Sequence, residues 1–130
     1  VIPLQVAVAL HTSHMAPAVE AMRLRASKIT PSDPTVTLLS NADGAAPVDG
    51  REVLERLVAQ VSNPVRWDLC MESLSAAGVT GILELPPAGT LTNLAKRALR
   101  GTATFALKTP DELDGALAFV AEHAAAGAGS

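Results

Sequence analysis

Short apolar segments alternate with helical patterns along this chain, and this alternation limits its fold more than any other feature. Val79–Leu85 is the clearest strand pattern, and the turn Pro86–Gly89 follows it directly. A helical pattern then closes at Gly101, and Thr102–Leu107 is again typical of a strand. Strands that alternate with helices are typical of parallel neighbours in one sheet. The sequence therefore predicts an α/β fold with a mostly parallel sheet and flanking helices.

Two further segments are predicted to be strands. Val1–Leu10 is an apolar run that only Pro3 and Gln5 interrupt. Thr35–Leu39 is a short strand pattern with the turn residues Ser40–Gly44 at its end. A sheet of three or four strands is thin for a chain that is 48% hydrophobic. We therefore expect the chain to pack against a further portion of protein.

Start and stop signals bound the predicted helices. Pro17 is tolerated only in the first turn of a helix, so the helix after His11 begins near it. Asp49 and Glu52 fit a capping box, and Thr109–Glu112 is a second strong helix start. The predicted apolar stripes are Met15, Val19, Met22, Ala26 and Ile29; Val53, Leu54, Leu57, Val58 and Val61; Trp67, Cys70, Met71 and Leu74; Leu91, Leu94, Ala95, Ala98 and Leu99; and Leu113, Ala116, Leu117, Val120 and Ala121.

Composition excludes several classes of function. A net charge of −3 and an aromatic content of 2% argue against nucleic-acid binding. The single cysteine, Cys70, excludes an internal disulfide and a cysteine-based zinc site, and it suits a reducing cytoplasm. A membrane helix needs about 20 consecutive apolar residues, and the sequence has no such run. We therefore expect a cytoplasmic protein without nucleic-acid or membrane partners.

His11 lies where the first apolar segment passes into a helix. Sites in open α/β sheets lie beyond the carboxyl ends of strands, so this position suits a catalytic base. The dipole at the N-terminus of the following helix would favour a neutral imidazole there. From position alone, a histidine that fills a strand end through a backbone hydrogen bond is the alternative.

A metal site is a weaker interpretation of the same segment. His14 follows three residues after His11, and this spacing can place two imidazoles on one helix face. Zinc needs a third and usually a fourth ligand, and no acidic cluster points to this pair, while His123 is in the last helix. We expect no metal and a solvent-facing His14.

Nucleophiles are poorly represented in this chain. Cys70 falls on an apolar helix stripe, which indicates a buried structural thiol. Gln60 lies at a helix end beside Pro64, where a free backbone carbonyl could accept a hydrogen bond from a histidine. An anion or thioester could approach the turn Pro86–Gly89, but two prolines leave few donors, so we expect a rigid turn. The candidate serines lack the flanking glycines of a strand–turn–helix elbow: Ser13, Ser40 and Ser73.

Four segments in a fixed order carry a family resemblance. They are HTSHMAPAVEAM, LLSNADG, LVAQVSNPVRWDLCMESLSAAGV and ELPPAGTLTNLAKRAL. Together they closely resemble the C-terminal portion of the malonyl-CoA:acyl-carrier-protein transacylases of bacterial fatty acid synthesis, with polyketide synthase acyltransferase domains as near relatives. The resemblance runs from about Val1 to about Leu107. The His-Thr-x-x-Met-x-Pro-Ala and Gln-x-x-x-Pro-Val-x-Trp patterns are specific in combination.

This resemblance implies a domain organisation. The family has an α/β-hydrolase-like large subdomain with a small ferredoxin-like subdomain inserted in it. Residues 1–10 would be the last strand of the insertion or its return strand, and residues 11–130 the C-terminal part of the large subdomain. The serine nucleophile of the family's Gly-His-Ser-x-Gly elbow would lie upstream of Val1. We therefore expect this chain alone to be inactive.

The resemblance also implies a reaction. Malonyl would move from coenzyme A to the phosphopantetheine thiol of acyl carrier protein through an acyl-serine, with His11 as general base. Gln60 matches the residue whose backbone carbonyl orients that histidine, and Asn41 matches a recurrent position near the site. Malonyl-CoA and acyl carrier protein would be substrates, with no further cofactor. The full-length protein is expected to be a monomer.

Two other interpretations stay open from the sequence. The chain could be a non-catalytic α/β module that binds a carrier protein, or a fragment of a polyketide synthase acyltransferase. Carrier proteins are acidic, so a docking face should be basic. Two predicted helices carry basic clusters, for which ordinary solvated helix faces are the favoured interpretation: Arg23, Arg25 and Lys28, and Lys96, Arg97 and Arg100.

The family usually has Gly-Pro-Gly-Lys where this chain has Pro86–Gly89, which leaves the conformation of that turn open.

Overall fold

Helices and strands follow one another in the order that the sequence predicts from residue 50 onward. A computed structural model describes residues 9–127 of the chain. The strand predicted over Val1–Leu10 lies, apart from its last two residues, outside the described residues. The described elements are α1 (Ala16–Ala26), α2 (Gly50–Gln60), α3 (Trp67–Ala76), β1 (Gly81–Glu84), α4 (Thr90–Ala98), β2 (Ala103–Ala106) and α5 (Leu113–Gly127), with short 3-10 helices at Ser13–Met15 and Pro110–Glu112.

The chain divides into two compact units, Val1–Ser73 and Leu74–Ser130, and the boundary falls within α3. In the first unit α1 packs against α2, and each of these helices buries one valine, Val19 and Val58. Asp49 accepts a hydrogen bond from the backbone N–H of Glu52 at 2.9 Å, which confirms the predicted N-cap of α2. The Glu52 carboxylate does not complete the box but pairs with Arg56.

The strand predicted over Thr35–Leu39 is wrong. Thr35–Leu39 forms no strand, and the side chain of Val36 is 76% exposed. A strand requires a neighbour that satisfies its backbone groups, and the described residues offer this segment none. The turn at its end is confirmed, since the N–H of Gly44 donates to the carbonyl of Ser40 at 2.8 Å. The first helix is also shorter than predicted, because α1 ends at Ala26 and leaves Ile29 outside it.

The second unit contains a β–α–β motif. β1 and β2 pair in parallel from Gly81 opposite Ala103 to Glu84 opposite Ala106, and α4 joins them. α4 contacts both strands, and α5 packs on β1. The predicted start of the last helix is confirmed, since the Glu112 carboxylate accepts hydrogen bonds from the backbone N–H groups of Lys108 and Thr109. Among residues 9–127, no helix has both the length and the apolar character needed to cross a membrane.

His123 joins α5 to the start of β1. Its Nδ1 lies 2.9 Å from the hydroxyl oxygen of Thr80, and its ring packs against Phe119 with the ring centres 4.5 Å apart. Gly81 leaves room for this ring, because a Cβ atom at that position would come within 2.5 Å of the His123 Cγ. The close approach of α5 to β1 therefore depends on the missing side chain at Gly81.

A first prediction concerns this contact. Gly81→Ala is expected to destabilise the chain by about 1–3 kcal/mol, because the new methyl group overpacks the His123 ring. Urea unfolding followed by circular dichroism measures this loss. The double variant Gly81→Ala/His123→Ala serves as the control. Its loss in free energy of unfolding should be smaller than the sum of the losses in the two single variants, because it has no ring for the new methyl group to overpack. Strictly additive losses would contradict the proposed contact.

Candidate functional site

The carboxyl end of α2 provides two free backbone carbonyls. α2 ends at Gln60, and the residue four positions later is Pro64, which has no backbone N–H to donate. The carbonyl of Gln60 therefore lacks its regular helical donor, and among the backbone N–H groups of residues 9–127 only that of Asn63 donates to it, at the long distance of 3.3 Å. Carbonyls at a helix end need partners from outside the helix.

His11 provides those partners. Its backbone N–H donates to the carbonyl of Val61 at 2.9 Å, and its ring Nδ1 lies 2.8 Å from the carbonyl oxygen of Gln60. The backbone of His11 is in the left-handed region, with φ at +61°. Residues other than glycine rarely adopt this conformation, and they keep it where the surrounding structure holds them. Here the two hydrogen bonds to successive carbonyls hold it.

The contact with Gln60 decides the tautomer of the His11 ring. A carbonyl oxygen can only accept a hydrogen bond, so Nδ1 carries the proton. In the neutral ring the lone pair is then on Nε2, and the side chain is exposed. An exposed imidazole with its Nδ1–H fixed, and with no partner for Nε2 among residues 9–127, has the geometry of a general base.

The electrostatic setting of His11 differs from the expectation. The 3-10 helix Ser13–Met15 comes first, so α1 begins only at Ala16, five residues after His11. The ring instead meets the carboxyl end of α2, where the partial negative charge of the helix dipole lies. The ring therefore lies at the carboxyl end of one helix and not at the N-terminus of another.

Asn41 lies beside the same helix end. Its carbonyl accepts a hydrogen bond from the N–H of Arg66 at 2.8 Å, and its side-chain oxygen lies 3.8 Å from the Cys70 sulfur. Asn41 and Gln60 both line a small cavity of about 70 Å³. The structure thus brings Asn41 close to Gln60, and the hydrogen bond from Arg66 holds the Asn41 backbone.

Sequence reasoning missed the amide side chains at this helix end. The Gln60 amide donates to the carbonyls of Asn63 and Pro64, at 3.0 Å each. The Asn63 amide donates to the carbonyl of Ala59 at 2.7 Å. Two amide residues around a helix-ending proline were the available signal, but a sequence does not show where their donors point.

The other candidates take structural positions. His14 is exposed in the 3-10 helix, and the described residues contain no group of three or more His, Cys, Asp or Glu side chains that could hold a metal ion. The Ser73 hydroxyl donates to the carbonyl of Gly44 at 2.8 Å. Cys70 is 2% exposed, and burial, with the charges of Asp43 and Asp68, raises the pKa of its thiol.

The turn Pro86–Gly89 is closed to an outside anion. Glu84, at the end of β1, is 7% exposed, and its carboxylate accepts hydrogen bonds of 2.8–2.9 Å from the backbone N–H groups of Gly89, Leu91 and Thr92. Burial alone would raise the pKa of Glu84, but these backbone donors outweigh it and lower the pKa to about 2. The chain's own carboxylate therefore occupies the N-terminus of α4, where an anion would otherwise bind.

Solved structures that this chain resembles are transacylases with an α/β fold, which confirms the predicted fold class. The crystal structure of MCAT from Mycobacterium tuberculosis is 48% identical, with a TM-score of 0.79 over 86% of this chain and 37% of that chain. A type II polyketide synthase acyl-carrier protein in complex with its malonyl-transacylase, PlMCAT:AntF, gives a TM-score of 0.80 at 30% identity, over 90% of this chain and 38% of that chain.

A curated relative belongs to the same class of transacylases. The malonyl CoA-acyl carrier protein transacylase of Mycolicibacterium smegmatis is 50% identical to this chain over 111 residues, which are 82% of this chain and 38% of the relative. The resemblance to malonyl-CoA:acyl-carrier-protein transacylases that the motifs predict is therefore confirmed. The chain spans less than two fifths of the length of this relative. No family model matches the chain.

A second prediction concerns Cys70. A buried thiol with a raised pKa has little thiolate to react, so iodoacetamide should leave the native chain unmodified under conditions that alkylate the urea-unfolded chain completely. Mass spectrometry of the intact chain measures the modification, and Cys70 is the single cysteine in the sequence. Equal labelling rates in the two states would contradict the burial of this thiol.

A third prediction concerns Glu84. Glu84→Gln is expected to lower the melting temperature at neutral pH by several degrees, because an amide serves the three N–H donors less well than a carboxylate. The pKa of this carboxyl is lower in the folded chain, about 2, than its ordinary value of 4.5. Its stabilising effect is therefore complete above pH 4.5 and declines as the pH falls towards 2.

The pH dependence provides the control for this variant. The difference in free energy of unfolding between wild type and Glu84→Gln should shrink as the pH is lowered through this range. Urea titrations at several pH values measure it, and other carboxylates cancel in the difference. A difference that stays constant from pH 6 to about 2.5 would contradict the role of the ionised carboxylate.

Proposed function

We propose that this chain is the histidine-bearing part of a malonyl-CoA:acyl-carrier-protein transacylase, with His11 as general base. The observation that carries the proposal is the 2.8 Å contact between the His11 Nδ1 and the Gln60 carbonyl, which leaves Nε2 free as a base. The 50% identity to a malonyl CoA-acyl carrier protein transacylase supports it. Gln60 takes the orienting role that a carboxylate fills in acidic triads.

The first half-reaction loads the enzyme. A serine from the portion of the protein that this chain does not span attacks the thioester carbon of malonyl-CoA, and Nε2 of His11 accepts the proton from its hydroxyl. The tetrahedral intermediate collapses, the carbon–sulfur bond breaks, and His11 returns the proton to the coenzyme A thiolate. Malonyl is then held as an ester on the serine. The Gln60 carbonyl stabilises the imidazolium that forms in between.

The second half-reaction unloads it. Nε2 of His11 accepts the proton from the phosphopantetheine thiol of acyl carrier protein, and the thiolate attacks the acyl-serine ester. The ester bond breaks, His11 returns the proton to the serine oxygen, and malonyl leaves on the carrier protein. The solved complex of a malonyl-transacylase with its acyl-carrier protein supports this partner. The chemistry needs only the malonyl-CoA thioester and the thiol of acyl carrier protein, with no further cofactor.

The domain organisation belongs to the same proposal. Residues 1–10 would close an inserted ferredoxin-like subdomain, and residues 11–130 would complete the α/β-hydrolase-like large subdomain of a monomeric cytoplasmic enzyme. Large apolar side chains that stay exposed on several helices support a covering portion of protein: Leu24, Leu57 and Leu117 are more than half exposed. Exposed apolar side chains in such number are typical of surfaces that pack against other protein.

A fourth prediction tests the base. In the full-length protein, His11→Ala should lower malonyl transfer by roughly 10⁴-fold, because no other group replaces the base of a serine–histidine unit. Transfer of radiolabelled malonyl from coenzyme A to holo acyl carrier protein measures it. His14→Ala is the matched control and should keep wild-type transfer, since His14 is exposed three residues away. Near wild-type transfer by His11→Ala would contradict the proposal.

The nucleophile provides a separate test. The 130-residue chain alone should form no acyl-enzyme with malonyl-CoA, and intact mass spectrometry detects a malonyl adduct. Sequencing the encoding gene upstream of Val1 decides between the enzyme and a non-catalytic carrier-protein module. A Gly-x-Ser-x-Gly elbow there supports the enzyme, and its absence supports the module.

A further inference from the structure

The turn Gln60–Pro64 contains groups that the proposed reaction does not use directly. In an uninterrupted α-helix the N–H of residue 64 would donate to the carbonyl of Gln60. Pro64 has no N–H, so this donor is missing, and the N–H of Asn63 reaches the same oxygen only at 3.3 Å. The Gln60 carbonyl is therefore open to the His11 ring, which binds it at the shorter distance of 2.8 Å.

Two side-chain amides hold the same turn closed. The Gln60 amide bridges the carbonyls of Asn63 and Pro64, at 3.0 Å each, and so ties the outgoing chain to the helix end. The Asn63 amide donates to the Ala59 carbonyl at 2.7 Å, and the N–H of Ser62 donates to the same carbonyl at 3.2 Å. These bonds constrain the turn that carries the Gln60 and Val61 carbonyls, and both of those carbonyls bind His11.

We propose that Pro64 and the side-chain amides of Gln60 and Asn63 are positioning residues for His11. Pro64 keeps the carbonyl of Gln60 free of a helical donor, and the two amides hold this carbonyl towards Nδ1. The turn thereby fixes the ring proton on Nδ1 and the lone pair on Nε2. This inference rests on the proposed function of His11 as general base. It adds a positioning role for three side chains to the role of the Gln60 backbone carbonyl.

Pro64→Ala in the full-length protein is the direct test. Alanine supplies an N–H that can donate to the Gln60 carbonyl and extend α2, so the His11 ring loses its acceptor and can carry its proton on Nε2. Nitrogen-15 NMR of histidine-labelled protein reports which ring nitrogen is protonated. The Nδ1–H form should predominate in wild type and decline in Pro64→Ala. A base displaced by about 1 Å costs about 100-fold in rate, so kcat should fall by 10- to 100-fold. The KM for malonyl-CoA should stay unchanged.

Two further variants keep the test decisive if Pro64→Ala does not fold. Gln60→Glu and Asn63→Asp preserve side-chain shape but replace each amide donor by a carboxylate that cannot donate to a carbonyl. Both should reduce the Nδ1–H form and kcat in the same direction. Asp49→Ala is the matched control, because it removes the N-cap at the other end of α2. It should lower the melting temperature but leave the tautomer and kcat unchanged.

The outcomes separate this inference from the proposed function. A folded Pro64→Ala protein that keeps the wild-type Nδ1–H signal would overturn the inference, as would wild-type tautomers in both carboxylate variants. The same tautomer change in Asp49→Ala would also overturn it, because a general loss of helix stability would then explain the effect. The NMR measurement does not depend on enzyme activity. An active His11→Ala variant would contradict the proposed function, whereas the tautomer measured in the other variants would still test the positioning role.

Discussion

The hydrogen bond between the Gln60 carbonyl and the His11 ring is the interaction on which the site depends. It joins residues 49 positions apart in the chain, and it is available because the helix that carries Gln60 ends where Pro64 withholds a donor. A second bond, from the His11 N–H to Val61, holds the left-handed backbone at the histidine. The end of the helix thus binds His11 through two hydrogen bonds, which set both the position and the tautomer of its ring.

Helix ends are used in opposite ways in the two units of the chain. At the carboxyl end of α2 the free carbonyls stay available and bind the group that is proposed to react. At the N-terminus of α4 the free N–H groups are taken by the buried Glu84, so that end is structural. The same elementary fact, unpaired backbone groups at helix termini, therefore yields a candidate site in one place and a rigid β–α connection in the other.

The elements with strong local signals were predictable. The capped starts of α2 and α5, the glycine that follows α3 and the parallel pair around α4 all follow from residue types within a few positions of each other. Thr35–Leu39 shows the limit of this approach, because a strand pattern becomes a strand only when another segment pairs with it. The end of α1 at Ala26 is a similar case, since the apolar period continued to Ile29 but the helix did not.

For the candidate site, the sequence by itself identified the residues and the family: a histidine at a segment junction, a glutamine beside a helix-ending proline, and four motifs whose order matches one enzyme family. Chemistry and spacing were enough for this, because residue type and helix termination are local properties. Only the tertiary structure decided that the Gln60 carbonyl meets Nδ1, that two amides hold the turn, and that Glu84 fills the N-terminus of α4. Directions of donors and acceptors across long sequence separations depend on packing, which no local pattern encodes.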